Sequence, residues 1–342
     1  MRFLRAVLAI VLFGLTLEVC ARVDDLVRYG APFWSSYSYE SMFTADSLGR
    51  KGKPFASYRD YHLNSLGFRG PELKPGGIRV ITIGASETFG LYEDPGQEYP
   101  RQLERDLNQR SGSEQYQVIN TALVGLTIRT ATIRIPQIVD EVHPQFAVIY
   151  PTPANYIWLP WVLKAPATQA PKEPVFELRS ADKVRDAVKR LSPPELLDRL
   201  RQRDIDREAP EFGVPMDRVP DASVETFRSD LEAMLKTLQE RGVRPVLVTH
   251  ATRFGNSLSE QDRQQLTAWR RFYPMLKEQG FLDMERRMND AIRQVAQENH
   301  ALLVEGAKAV PPGSRYFGDA IHFTTSGSGF MASAIADAIL KS

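Results

Sequence analysis

The chain has 342 residues, too many for one minimal domain and too few for three, so one large domain or a domain carrying an insertion is expected. Its 43% hydrophobic and 25% charged residues exclude a disordered chain, and 43 Lys and Arg against 42 Asp and Glu leave no basic excess to bind nucleic acid. The single cysteine, Cys20, excludes an intrachain disulfide framework and a cysteine-rich zinc site, and five scattered histidines argue against a histidine-cluster metal site.

At the N-terminus, Arg2 and Arg5 precede an uncharged run from Ala6 to Leu17. A basic start followed by an apolar stretch is the pattern of an export signal and keeps the N-terminus inside while the rest crosses. The run is shorter than the roughly 20 residues of a full span. Extending it to Val23 nears that length but takes in Glu18 and Arg22. Residues 1–23 are therefore read as a signal peptide or a signal anchor. Cleavage after Ala21 would give a secreted protein; without cleavage the chain is anchored in the inner membrane with its main body on the periplasmic side, the preferred reading. A first helix buried in a cytoplasmic protein is the remaining alternative. Cys20 does not suit lipid attachment, because Glu18 and Val19 stand before it where small residues are needed.

Residues 24–76 are rich in Tyr, Phe, Ser and Gly, with turn signals at Gly67, Gly70-Pro71 and Pro75-Gly76-Gly77, and read as an irregular arm or short strands. From residue 77 a strand–helix alternation begins. Strands are expected at 79–84 (RVITIG), 116–120 (YQVIN), 146–150 (FAVIY), 243–249 (VRPVLVT) and 301–305, from their β-branched runs. Helices are expected at 98–109, 129–142 with a kink at Pro136, 222–241, 283–299 and 326–341. Such alternation builds a parallel sheet covered on both faces. Residues 156–220, rich in proline and with charged helical pieces such as 182–203, carry no strand and read as a helical insertion or cap.

Ligands of an open parallel sheet sit at the carboxyl ends of its strands. After the first strand the chain reads Gly84-Ala85-Ser86-Glu87-Thr88-Phe89-Gly90. A serine on a Gly-flanked turn has an exposed hydroxyl suited to a nucleophile, although a plain helix cap uses the same residue. A phosphate loop does not fit the glycine spacing. After the second strand, Gly125 offers a backbone N–H without an obstructing side chain; a turn glycine is the alternative. After the third, Asn155 can donate an amide hydrogen bond or cap a turn. Near the C-terminus stands Asp319-Ala320-Ile321-His322, where a carboxylate three residues before a histidine can fix its tautomer while the other ring nitrogen takes a proton.

These four blocks, GASETFG, NTALVGLT, PTPAN and DAIH in that order, resemble those of the SGNH hydrolases of the GDSL esterase/lipase superfamily. Phe323-Thr324-Thr325-Ser326-Gly327 and Met331-Ala332 are similar to the residues that come after the histidine in that family. The stretch Asn64-Ser65-Leu66-Gly67-Phe68-Arg69-Gly70-Pro71-Glu72 resembles a lead-in of membrane-anchored bacterial members. The resemblance covers residues 62–155 and 243–340 and implies a three-layer α/β/α sandwich. Its sheet would be flavodoxin-like, mostly parallel and five-stranded, with the insertion added. By the same resemblance Ser86 would be the nucleophile, His322 the base and Asp319 its orienting partner. The amides of Ser86 and Gly125 and the side chain of Asn155 would bind the oxyanion, with no metal or organic cofactor. Two departures stand out: Ala85 replaces the family's usual aspartate, and the Asn155 block is looser than Gly-x-Asn-Asp.

The function so implied is extracytoplasmic, serine-dependent hydrolysis of an O-acyl ester, in the first place acetyl, or transfer of that acyl group. The substrate would be an acylated small molecule or glycan, with the membrane as the partner of the N-terminal segment. The alternative is a catalytically silent envelope scaffold or glycan-binding protein that keeps the fold. His250, at the end of the fourth strand, is expected to touch substrate or to be a hydrogen-bonded structural histidine; His62, His143 and His300 are read as structural. Tyr156, Trp158 and Trp161 are read as packing under the cap or as aromatic faces at the site mouth.

Overall fold

The computed structural model describes residues 2–163, 177–208, 211, 213–255 and 258–342. Its first helix, α1 (Arg2–Tyr29), is long and apolar enough to cross a membrane, the one such helix among the described residues. Phe3, Leu4, Leu8, Ile10, Phe13 and Leu15 stand exposed on it. The arm then forms two antiparallel hairpins, β1 (Phe43–Asp46) with β2 (Gly49–Gly52) and β3 (Ser57–Tyr58) with β4 (Tyr61–His62).

Next comes the alternating body: β5 (Ile78–Gly84), α2 (Ser86–Phe89), α3 (Tyr99–Ser111), β6 (Tyr116–Asn120), α4 (Ile128–Val142) and β7 (Phe146–Tyr150). After the helices α5 (Leu159–Val162), α6 (Arg179–Leu191), α7 (Pro194–Glu208) and α8 (Asp221–Gln239) come β8 (Arg244–Val248), α9 (Glu260–Arg270) and α10 (Glu278–Glu298). The chain closes with β9 (Leu302–Val304), α11 (Gly306–Ala309) and α12 (Thr325–Leu340). The insertion is helical where it is described; its residues 164–176, 209–210 and 212 lie outside the described residues.

The five strands of the main sheet lie in the order β6-β5-β7-β8-β9, and every pairing is parallel. Successive strand residues point to opposite faces, which requires both faces to be apolar here. Ile81 and Ile83 accordingly pack with Ile135 of α4, Leu231 of α8 and Met288 of α10. Val80 and Val148 pack on the other face with Leu103 of α3 and Ile335 of α12. The order reverses between β5 and β7, so the crevice of a doubly wound sheet opens beyond Gly84 and Tyr150.

Two features differ from expectation. Helix α9 lies outside the expected elements: its apolar content is low, and only Leu266 and Trp269 are buried. A reciprocal cap between Ser259 and Asp262 starts it. Helix α10 begins at Glu278 rather than Asp283.

One face of the second half of α1, at Glu18, Ala21 and Asp25, is docked on the body. Leu178 gives α6 no side-chain cap. Glu18 of α1 supplies one, its carboxylate accepting from the Arg179 amide (3.3 Å), the Ser180 amide (3.0 Å) and the Ser180 hydroxyl (2.8 Å). Lys183 pairs with Asp24 at 2.6 Å and Asp25 at 2.8 Å, and Arg22 donates to the carbonyls of Phe33 and Glu177.

Candidate active site

Ser86 opens the short helix α2 directly after β5. A Cβ on Gly84 would lie 2.1 Å from Thr88 Oγ1 and 2.8 Å from the Tyr150 carbonyl oxygen, so only glycine lets the strand turn this tightly into the helix. Ala85, where the resembling family carries aspartate, is buried. The far end of α2 is held by Arg69 of the arm. Its buried guanidinium donates to the carbonyls of Phe89 and Gly90, pairs with Glu98 at 3.4 Å and lies over the rings of Tyr61 and Phe89. Asn120 adds a bond from Nδ2 to the Thr88 carbonyl at 2.9 Å. The turn that carries Ser86 is thus fixed from the arm and from β6.

The loop before α12 brings His322 to the serine. Ser86 Oγ lies 2.9 Å from His322 Nε2, and His322 Nδ1 lies 2.8 Å from Asp319 Oδ2. Asp319 is itself immobilised, its other oxygen accepting from the amides of Ile321 (3.0 Å) and His322 (2.9 Å). With Nδ1–H donated to Asp319, Nε2 is left to accept the serine hydrogen. Burial pulls the His322 pKa down, but the bond and charge of Asp319, with Glu87 and Glu93 nearby, outweigh it and raise the imidazole above its ordinary value. Burial likewise opposes ionisation of Asp319, and the bonds from His322 and its amide overcome it and lower the carboxyl.

Gly125 takes φ +77 with nothing within 4 Å of an added Cβ, so backbone conformation rather than crowding selects glycine. Asn155, buried in the turn after β7, donates from Nδ2 to the Leu126 carbonyl at 2.9 Å and so ties its loop to the Gly125 loop. Beyond Gly125 an apolar cavity of about 360 Å³ lies against α4, lined by residues such as Leu126 and Ile135.

Glu87 meets Ser86 from below, with Thr152, His250 and Glu285 behind it; of these the sequence patterns point only to His250. Glu87 Oε2 lies 3.1 Å from Ser86 Oγ, and the Glu87 carboxylate accepts from Thr152 at 3.0 Å and from His250 Nε2 at 3.3 Å. His250 Nδ1 pairs with Glu285 at 2.8 Å, its amide donates to Asn289, and its ring stacks on Tyr150. His250 is 2% exposed, so it is the structural histidine of the two alternatives and does not reach the surface to touch substrate. Burial works against its charge, yet Glu285 and Glu87 push its pKa up to about 10. Burial also opposes the charge on Glu87, which the bond from His250 and the charges of His322 and His250 nevertheless hold below the usual carboxylate value. On the outer side Tyr92 sits 5.6 Å from the His322 ring, its phenol pushed up to about 12 by desolvation and by Asp319.

Of the aromatic trio, Tyr156 is core, donating to Asp230 at 2.9 Å and packing on Phe227. Trp158 is partly exposed, and the Trp161 side chain lies outside the described residues. His62 is exposed on β4, while His143 and His300 take positive φ at turns after helices.

No family model and no curated protein matches the chain. Among solved structures it is similar to a lipase/acylhydrolase from Enterococcus faecalis, at 16% identity over 77% of this chain and 95% of that one, TM-score 0.46. It is also similar to an acetyl xylan esterase, AlAXEase, at 17% identity over 77% of this chain and 100% of that one, TM-score 0.46. A third is the psychrotrophic esterase EstA from Pseudoalteromonas sp., at 12% identity over 77% of this chain and 97% of that one, TM-score 0.43. At these identities and scores the likeness is one of general chain course, and the chemistry of the site rests on the side chains of this chain.

Proposed function

We propose that this chain is a serine-dependent hydrolase of O-acyl esters, working outside the cytoplasmic membrane and tethered to it by α1. The observation that carries the reading is the continuous line Ser86 Oγ, His322 Nε2, His322 Nδ1, Asp319 Oδ2, with contacts of 2.9 and 2.8 Å. In this reading Ser86 Oγ attacks the ester carbonyl as its proton passes to His322 Nε2, and Asp319 stabilises the imidazolium. His322 then hands that proton to the leaving alcohol, leaving an acyl-serine. Water, activated by the same imidazole, releases the acid; a sugar hydroxyl in place of water would complete an acyl transfer. An amide has two N–H donors and Asn155 spends one on Leu126, so the second is left for the oxyanion, beside the amides of Ser86 and Gly125.

Two features of α1 support the tether. Glu18, Arg22 and Asp25 are engaged by α6 and the arm, and Ala21, at which cleavage would fall, lies buried mid-helix. Labelling of the full chain with a fluorophosphonate tests the chemistry. Wild type is expected to label at Ser86, Ser86→Ala not at all, and His322→Ala and Asp319→Asn to lose turnover by about 10⁴-fold. Undiminished labelling of Ser86→Ala, or none of the wild type, sinks the reading.

A further inference from the structure

The exposed apolar run of α1 ends where its polar contacts begin, and the chain returns to that level twice. Arg22 points back along α1, with Nε on Glu18 at 2.7 Å, so its guanidinium marks the height between residues 18 and 22, a span of about 6 Å. After α1 the chain turns at Gly30 and runs back to this height, where Arg22 Nη1 donates to the Phe33 carbonyl at 2.6 Å. The second return is the start of α6. There Arg22 Nη2 donates to the Glu177 carbonyl at 2.9 Å, and Glu18 caps the amides of Arg179 and Ser180. Arg179 ties the two returns together, donating from Nη2 to the carbonyls of Pro32 at 2.6 Å and Ser35 at 3.0 Å.

Each return carries an apolar side chain outward. Trp34 is 90% exposed, whereas tryptophan is on average highly buried, and Phe33 packs edge-on against it at 4.8 Å. Leu178, the residue before α6, is 50% exposed. Leu17 and Val19 of α1 stand exposed at the same height. The charges there are turned inward: Glu18, Arg22 and Arg179 are engaged with one another, with backbone groups or with the Tyr37 ring. This level therefore shows apolar and aromatic groups to the outside, while its ionised groups already have partners and need not be stripped of water.

That combination suits the boundary between lipid headgroups and acyl chains, which takes up the apolar body of an indole and keeps its N–H near water. We propose that Trp34 and Leu178 form a collar around α1 that rests in the headgroup layer of the bilayer. Its position favours lipid over a protein partner, because the collar starts at Glu18, directly after the exposed apolar run that ends at Leu17. A lone spanning helix leaves the body free to turn about the helix axis. A second contact beside that axis stops the turning, so one side of the body always faces the lipid. The inference rests on reading α1 as a membrane tether and is independent of the chemistry at Ser86.

The test uses the full chain in vesicles of phosphatidylethanolamine and phosphatidylglycerol. In a Cys20→Ser background, which removes the single native cysteine, Trp34→Cys, Leu178→Cys, Leu8→Cys and Glu114→Cys each carry an environment-sensitive nitrobenzoxadiazole label. Leu8 reports the tether itself, and Glu114, exposed in the turn before β6, is the aqueous control. Labels at 34 and 178 are expected to shift their emission to shorter wavelength in vesicles, and to lose emission when the acyl chains carry bromine near the headgroups. The label at 114 should do neither. A label at 34 or 178 that stays in water while the one at 8 reports lipid overturns the collar and spares the tether. A label at 8 that stays in water removes the tether, and the collar falls with it. Native emission gives a second readout that needs no label and, since Trp34 is exposed, no change to the core. Brominated lipid should quench wild type more than Trp34→Phe, and equal quenching of the two overturns the collar.

Discussion

The hydroxyl of Ser86 has one hydrogen and two acceptors in reach, His322 Nε2 at 2.9 Å and Glu87 Oε2 at 3.1 Å. In the proposed reaction only the first leads to attack, and only while the imidazole is neutral. Because Asp319, Glu87 and Glu93 together raise the His322 pKa over the opposing effect of burial, the acid limb of the kcat/KM profile should fall above the ordinary histidine value of 6.5. Glu87→Gln removes one of the negative charges that favour the imidazolium, so its limb should move to lower pH; a pH–rate profile with an unmoved limb would contradict this. The buried histidine beneath makes a separate prediction. His250 has a folded pKa near 10 against an ordinary 6.5, so the stability it contributes is fully present below about 6.5 and is lost as pH rises through 10. Melting temperatures taken from pH 7 to 10 should fall more steeply in wild type than in His250→Asn. Parallel curves would show that His250 is not charged in the fold. Ser86, Asp319 and His322 were legible in the sequence because each sits in a short local pattern. Glu87 and Glu285 were not, and His250 was legible only as a histidine at a strand end, since the bonds among the three join residues 163 and 35 apart and only the folded sheet brings them together.

Among the elements, the helix that carries Ser86 depends most on its neighbours. Four residues cannot hold a helix by their own hydrogen bonds, and α2 is secured by Arg69 across its C-terminal carbonyls. Arg69→Ala would leave Glu98, 2% exposed, as a buried charge without its partner, at a cost of about 3–5 kcal/mol. Turnover should fall with stability, and urea unfolding beside kcat measures both; a variant as stable and active as wild type would mean that the arm does not support α2. This gives physical content to the stretch Asn64–Glu72, in which the Asn64 side chain also closes the turn by accepting from the amides of Leu66 and Phe68 at 3.0 Å. The parallel strands were readable because a strand buried on both faces is a continuous β-branched run, as in β5 and β7. Helix α9 was not, because its face to the protein is too narrow to stand out from its charges, and the cap at Ser259 and Asp262 was its one legible sign.

At the scale of the whole molecule, arm, body and first helix share contacts. Met42, Phe43 and Leu63 of the arm pack on Phe89 of the Ser86 turn, and α1 caps α6 through Glu18. Cleavage after Ala21 would remove that cap, so the intact mass of the protein purified from membranes should include residues 1–21; a chain starting at Arg22 would refute the anchored reading. The docking of α1 has a geometric consequence. A flexible linker would let the body wander over the bilayer, whereas a continuous helix fixes its height. From Glu18, the first buried residue of α1, to Tyr29 at its end is about 17 Å at 1.5 Å per residue. With the residues before Glu18 in a membrane, α1 becomes a measuring rod: under the proposed function it would set one altitude at which an ester bond is cut, and esters lying in the lipid or carried far above it would fall outside that reach.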